Sequence, residues 1–455
     1  MTKKKLFILF INVFLIFLIN LSLNNKLTIS GYGSIYLYYS SFIFLCLIII
    51  QKKIITPINI LYATFILFQT GVPIAFFVKN DYSNFYMSLF SNSIIISAAK
   101  FTLWSIEAFS LTLLIFINSL NKKRKKILFS DFAAVNDSTS VLFVAKMLFI
   151  ITSVIIVPLY GYVAILSIKF GFSQQIRSMV ANNSFFNIIR AFFCPSFFLL
   201  ICYGKDSNFT KIAKYIFVFI CGLALVSGNR SDGFLWLITY FYFNQSSEKN
   251  TFFNKIVLFS GILILIVVAV YIGQNRMGST SNDISSIFIS MIGEMGFNFF
   301  SICFVMLYVP SIRGFLFGSS YLASFVCMLP KSLDFLHLLD SIREGLPAQW
   351  LYNTNHIKFG TLLDFGTGFS MIGESYMNFA WFGFLISAIY AFILCKVFNG
   401  KWNTANNWNK YVEMITFLGL LTFPRRGFIE FLNIISYSIF FLVLILMFFY
   451  RKKNI

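Results

Sequence analysis

Long apolar runs decide what this chain can fold into. Stretches such as 6–23, 33–50, 141–168 and 428–450 are at least 18 residues long and almost free of charge. A helix needs about 20 apolar residues to cross a hydrocarbon core of about 30 Å, so runs of this kind read as membrane spans. Composition agrees: 58% of the 455 residues are hydrophobic, 20% aromatic and only 11% charged, with a mean hydropathy of +0.80. A soluble domain carries about 25% charged residues because its surface must be wetted. The pattern therefore excludes a soluble enzyme, a secreted disulfide scaffold and a nucleic-acid-binding domain. The net charge of +20 reads as topogenic lysine rather than a binding surface for nucleic acid.

Twelve spans follow, near 6–23, 33–50, 56–78, 94–119, 141–168, 185–203, 212–227, 232–244, 256–273, 370–395, 411–424 and 428–450. With that count the basic clusters all fall on one side: Lys3–Lys5, Lys52-Lys53, Lys122–Lys126, Lys205/Lys211, Lys249/Lys255, Lys401/Lys410 and Arg451–Lys453. The positive-inside rule makes that side cytoplasmic, with both termini there. The expectation is thus an all-α polytopic integral membrane protein with one large extracytoplasmic loop. Its parts are membrane helices over 1–273, the loop over 274–369, and membrane helices over 370–455. The first run is followed by no small-residue cleavage site, so it is expected to stay as an uncleaved span. The seven cysteines are irregularly spaced within apolar stretches and read as packing residues. Cys303 and Cys327 are the pair whose outer placement leaves a disulfide open.

Arginine departs from the lysine pattern. Of ten arginines, only Arg124 and Arg451 sit in the cytoplasmic clusters; Arg177, Arg190, Arg230, Arg276, Arg313, Arg343, Arg425 and Arg426 fall on or near the outer side. Topology disfavours positive charge there, whereas a planar guanidinium suits bidentate binding of phosphate or carboxylate. The plainer reading is that individual arginines meet lipid headgroups or pair with acids. Two outer turns look sunk below the membrane surface. Ser231–Gln245 makes only about 22 Å of helix, which places the turn Gly228–Gly233, with Arg230, at cavity depth. Ser231 or Asp232 can cap the next helix and leave its N–H groups for an anion beside Arg230; alternatively Asp232 neutralises Arg230 and the turn is structural. The second turn is Pro424-Arg425-Arg426-Gly427, where proline stops a short apolar helix and glycine permits the turn. A snorkelling pair at a headgroup is the alternative there.

The segment Gln274–Phe369 is the one stretch long enough for a lid or a soluble site. Ile284–Val309 and Gly314–Leu329 within it are apolar enough to lie in the interface or dip into the membrane; interfacial helices are preferred because Glu294 sits in mid-run and Gly-Ser breaks the second, while two spans would keep the parity but move Arg313 inside. His337 stands three residues after Asp334, a spacing that pairs carboxylate and imidazole on a helix. His356 follows in Asn353-Thr354-Asn355-His356, and for both histidines an ordinary surface position is the competing reading. No HExxH, GxSxG in a plausible context or Walker P-loop occurs, and no cluster has metal-ligand spacing, so neither metal nor other cofactor is expected. The loop Asn24–Gly33 has no acidic residue, which disfavours polyprenyl-phosphate-sugar glycosyltransferases with an acidic pair at that place.

Ser227-Gly228-Asn229-Arg230-Ser231-Asp232-Gly233 resembles the arginine turn of bacterial O-antigen polymerases of the Wzy type. Phe317–Leu322 and Met328-Leu329-Pro330 resemble that family's large outer loop. Gly366–Gly383 resembles the stretch entering the next span, with Ala380 where typical members have glycine. The resemblance runs over about Ser227–Gly383 together with the span count, and implies a GT-C-like membrane fold. It implies a metal-independent glycosyltransferase in the bacterial inner membrane that polymerises lipid-linked oligosaccharide repeat units. The growing chain would pass from undecaprenyl diphosphate to a new lipid-linked unit on the outer side, alongside a chain-length regulator. On that basis Arg230, Arg276 and Arg425, then Arg426 and Arg343, are expected at the diphosphate. Glu374, Glu294, His337 and His356 are expected to serve acceptor activation, with Glu374 alternatively holding an arginine in place. Trp350, Tyr352 and Tyr376 are candidates for stacking on sugar rings. An O-antigen ligase would share the large loop and outer arginines. A lipid-linked oligosaccharide flippase would share the span count but not the long outer segment.

Overall fold

The computed structural model of the chain describes residues 3–23, 27–79, 85–119, 132, 135, 137–170, 184–204, 207–227, 230–245, 284–329, 334, 337–360, 369–398 and 406–453. Among the described residues every regular element is helical and none is a strand. The first half holds α1 (Lys3–Ser22), α2 (Ile29–Gln51), α3 (Pro57–Val78), α4 (Asn92–Phe116), α5 (Ser138–Phe170), α6 (Ser184–Tyr203), α7 (Asn208–Val226) and α8 (Arg230–Gln245). The middle holds α9 (Ile284–Met295), α10 (Asn298–Tyr308), α11 (Ser319–Cys327), α12 (Asp340–Glu344) and α13 (Pro347–Phe359). The last part holds α14 (Met371–Phe379), α15 (Phe384–Phe398), α16 (Asn407–Arg426), α17 (Phe428–Ile435) and α18 (Leu442–Lys453). A 3₁₀ turn, Ala380–Gly383, joins α14 to α15, and a π-turn, Ser436–Phe441, joins α17 to α18.

Helices stand at eleven of the twelve expected spans; the other, 256–273, lies outside the described residues. Among the described residues, eight helical segments are long and apolar enough to cross a membrane. They are α1 to α5, α7, α14 with α15, and α17 with α18. Local chemistry sets their ends. Thr28, Thr56, Ser207 and Asn406 each accept a backbone N–H as N-caps, and Pro57 opens α3 where its missing N–H costs nothing. Lys5 does more than mark topology. It is 5% exposed, and its ammonium donates to the carbonyls of Ile115 (2.8 Å) and Ile117 (2.6 Å) and to the Ser119 hydroxyl, closing the C-terminal end of α4. All seven cysteines are buried and none forms a disulfide, so Cys303 and Cys327 are not bridged.

In a bilayer, helices associate through packing and hydrogen bonds rather than through the hydrophobic effect. The high aromatic content supplies the packing. Phe65 (α3) stacks on Phe109 (α4) at 4.3 Å, Phe109 on Tyr390 (α15) at 5.6 Å, and Tyr390 meets Phe423 (α16) edge-on at 5.3 Å. A second column joins α6 to α7 through Phe197 and Phe217, whose rings lie 3.7 Å apart and 8° from parallel.

The Ile284–Val309 segment is a bent pair of helices packed into the protein. Ile289–Met295 and Asn298–Tyr308 form a pair bent by 46°, and nine of the eleven residues of α10 are buried. Glycine makes this possible. At Gly71 of α3 and Gly296 of the bend the two backbones cross so closely that a Cβ on Gly71 would lie 2.2 Å from the Ile292 carbonyl, and one on Gly296 would lie 2.4 Å from Gly71 Cα. By contrast, α11 turns Leu322 (70% exposed), Phe325 and Val326 outward and Ser320, Ser324 and Cys327 inward, the reverse of a water-facing helix, and Phe317 just before it is also exposed.

The crossing yields a prediction. Gly71→Ala and Gly296→Ala force apart backbone that cannot give and should lose about 1–3 kcal/mol or more of stability. Gly161→Ala, where nothing lies within 4 Å, should be neutral. The yield of monodisperse protein and its thermal midpoint in one detergent measure the difference.

Candidate functional site

The site grows from a helix that has to stop. Pro424 lies in the last turn of α16 and brings no N–H, so the Leu420 carbonyl loses its helical donor. The Tyr390 hydroxyl replaces it at 2.6 Å. Gly427 then takes φ +82°, ψ −177°, a backbone conformation open to glycine, and the helix ends. Its own N–H returns to the Phe423 carbonyl at 3.1 Å. The Pro424 carbonyl and the Phe428 N–H, which a continuous helix would have paired, need other partners across the break.

Both are satisfied by buried side chains from distant helices. The Pro424 carbonyl accepts from Gln69 Nε2 of α3 at 2.7 Å and from Asn298 Nδ2 of α10 at 3.3 Å. The Phe428 N–H donates to Glu374 Oε2 of α14 at 2.9 Å. Glu374 is 2% exposed, and its second oxygen accepts the Ser320 hydroxyl of α11 at 3.1 Å. Gln69 is itself oriented by Ser370, whose hydroxyl donates to Gln69 Oε1 at 2.6 Å while capping the Ile372 N–H. Asn378 completes the frame: its Nδ2 donates to Ser320 Oγ and to the Glu374 carbonyl, both at 2.8 Å, and its Oδ1 accepts the Gly318 N–H at 3.0 Å. A Cβ at Gly427 would stand 2.8 Å from Glu374 Oε2, so the carboxylate lies directly against the turn.

Arg425 and Arg426 are the residues this frame displays, and both are half-buried. The Arg425 guanidinium stands 5.2 Å from the ring centre of Phe68, the neighbour of Gln69. Arg426 Nη1 lies 3.7 Å from Glu430 Oε2, one turn into α17. Two adjacent guanidinium forks on a fixed turn can engage the several oxygens of a phosphate or diphosphate, which a lysine point charge cannot match.

The other expected site residues are placed differently. Arg230 opens α8, and its side chain lies outside the described residues, as does Arg276 altogether. Arg343 is neutralised: Nη1 donates to Asp334 Oδ2 at 2.8 Å and lies 3.5 Å from Asp340 Oδ1, and Nη2 donates to the Leu329 carbonyl at 3.0 Å. The expected pairing of Asp334 with His337 does not form. His337 has φ +54°, outside a helix, and its Nδ1 pairs with Asp340 Oδ2 at 2.9 Å, while Asp334 also caps the N–H groups of Leu338 and Leu339. His356 is exposed on α13, its ring nearly parallel to Tyr352 at 6.2 Å. Glu294 is half-buried in the last turn of α9, four residues before Asn298. Of the aromatic candidates, Tyr376 is buried against Phe101 and Trp381, whereas Tyr352 is 38% exposed. Among the described residues no group of three or more His, Cys, Asp or Glu side chains could hold a metal ion.

Gln69, Asn298, Ser320, Ser370, Asn378 and Tyr390 escaped the reading of the sequence. The signal for Gln69 and Asn298 was available: each is a lone amide within an apolar run, where an unpaired polar group is costly.

Fold and site together define a multi-pass helical membrane protein whose buried polar frame presents a pair of arginines. The chain belongs to the O-antigen polysaccharide polymerase Wzy family, whose model matches residues 5–454, nearly its whole length. No curated protein and no solved structure matches it. Membership carries the general role of an O-antigen polymerase, a glycosyltransferase-type activity in a membrane setting.

Replacing Glu374 tests the frame. Glu374→Ala strands the Phe428 N–H and the Ser320 hydroxyl, and a buried unsatisfied group costs about 1–3 kcal/mol. Glu374→Gln keeps one acceptor oxygen but turns an NH₂ toward the other donor. Thermal midpoints of the purified protein should fall in the order wild type, Gln, Ala.

Proposed function

We propose that this protein joins lipid-linked repeat units of a surface polysaccharide on the outer side of the bacterial inner membrane. The growing chain leaves undecaprenyl diphosphate and is transferred to a new lipid-linked unit, with Arg425 and Arg426 binding the diphosphate of the donor. The observation that carries this reading is the Pro424–Gly427 break, where Tyr390, Gln69, Asn298 and Glu374 satisfy the Leu420 and Pro424 carbonyls and the Phe428 N–H and so fix two adjacent arginines on one turn. Arg230 and Arg276 join the diphosphate set as further candidates, and Arg343 is set aside because Asp334 and Asp340 already balance it.

In the transfer, the acceptor hydroxyl attacks the anomeric carbon, the bond from that carbon to the phosphate oxygen breaks, and the diphosphate leaves with the electron pair. Charge grows on the leaving oxygens, and fixed guanidinium donors lower the energy of that state. The hydroxyl proton needs an acceptor. Glu374 has donors on both oxygens, so we assign it as a positioning residue that fixes the arginine turn. Glu294, at the bend beside Gly296 and near Asn298, is the first choice for the proton, ahead of His337 and His356. A chain-length regulator would act on this protein from outside the features described.

The test is the surface-polysaccharide ladder of a strain lacking the gene, complemented by variants. Loss of the gene should collapse the ladder to core plus one repeat unit, because the unit is still built, flipped and ligated. Disappearance of the single unit as well would point to a ligase or flippase instead, and an unchanged ladder would refute both. Arg425→Ala and Arg426→Ala should each reduce polymerisation by about 100-fold or more at normal membrane levels. Arg425→Lys should recover little of it, because the fork is lost.

A further inference from the structure

Two arginines of the 284–360 stretch meet opposite fates. Arg343 is held between two carboxylates. Arg313 has none: its Nη2 donates to the Gly345 carbonyl at 3.0 Å, its guanidinium lies 5.1 Å from the ring centre of Trp350, and its Nη1 is buried without an acceptor. Lys358, exposed on α13, stands 4.7 Å over the ring of Tyr308. The two rings adjoin, with centroids 6.3 Å apart and planes at 89°. Tyr308 is fixed in turn by its hydroxyl bond to Asn355 Oδ1 at 2.9 Å. Neither Arg313 nor Lys358 has an acidic partner among the described residues.

Burial lowers the Arg313 pKa from its usual value, yet an arginine remains charged in proteins. A buried cationic donor without an acceptor is unfavourable, and an anion supplying one relieves it. Aromatic rings are also good partners for the apolar faces of sugars. We propose that Arg313 and Lys358, set over Trp350 and Tyr308, form a subsite for an anionic group of the glycan, a carboxylate or phosphate on a sugar of the repeat unit. This rests on the polymerase reading given above. Position supports it: α10 carries Asn298 at the Pro424 carbonyl and Tyr308 ten residues further on, about 15 Å along a helix. The subsite is thus separate from the arginine turn and within reach of the sugars attached to a diphosphate held there. An anionic lipid headgroup offers the same chemistry, so the test must tell the two apart.

The full-length protein, in nanodiscs of phosphatidylcholine, is titrated with sodium glucuronate and with glucose as probes. Glucuronate should bind saturably and glucose should not. Lys358→Gln, an exposed change that leaves the packing alone, and Arg313→Gln should each weaken glucuronate binding by at least tenfold, and Arg313→Lys should weaken it less. Binding indifferent to both glutamine variants overturns the subsite. So does suppression of glucuronate binding when a quarter of the lipid is phosphatidylglycerol, which would assign the cations to headgroups. In cells, Lys358→Gln should at least halve the modal chain length, and sugar analysis should find an acidic or phosphorylated residue in each repeat; a wholly neutral polymer sinks the proposal. If deletion of the gene leaves the ladder intact, the polymerase reading fails. If deletion collapses the ladder while glucuronate binding ignores both substitutions, only the subsite fails.

Discussion

The hydrogen bond from the Phe428 N–H to Glu374 is the contact on which this architecture turns. A membrane interior offers no water to an interrupted helix, so the break at Pro424–Gly427 exists only because other helices complete it. Glu374 closes one side, Gln69 and Asn298 the other, and Tyr390 repairs the carbonyl that proline leaves open one turn earlier. Four helices apart from α16 are thereby committed to one turn. The aromatic column through Phe65, Phe109, Tyr390 and Phe423 shares α3, α15 and α16 with these bonds and adds α4, so packing and polar satisfaction meet on the same helices.

The stretch between α9 and α14 divides along its charges. Asp334, His337, Asp340 and Arg343 settle among themselves and with nearby backbone, which makes them a structural knot. Arg313 and Lys358 rest on aromatic rings, where the attraction is real but leaves Arg313 Nη1 without an acceptor and neither cation with an acidic partner among the described residues. Similar residue types a few turns apart thus do different work because of what faces them. Composition cannot express that distinction.

Much of the fold was legible in the chain because apolar run length, basic flanks and capping residues are local signals. The Pro-Arg-Arg-Gly turn was legible for the same reason, since proline and glycine announce a break wherever they occur. Its support was not: Gln69 and Asn298 lie 355 and 126 residues from Pro424, and no local rule connects them. The close crossing of Gly71 and Gly296 was not legible either, because the two glycines lie far apart in the chain. The Asp334–His337 pairing assumed a helix that the left-handed backbone at His337 does not continue. Lys5 looked like one more topogenic lysine until its ammonium was seen closing α4.

The frame around Pro424 is assembled from backbone groups and from Gln69, Asn298, Ser320, Glu374, Asn378 and Tyr390, and none of these bonds is made by an arginine side chain. Display and support are therefore genetically separable. On the proposed reading, a chain stripped of the two guanidinium groups keeps these supporting bonds and should still take its place in the membrane while losing its hold on the diphosphate. Produced in excess, such a decoy would poison assembly in cells that also carry an intact copy, a dominant effect that a simple loss of the gene would lack.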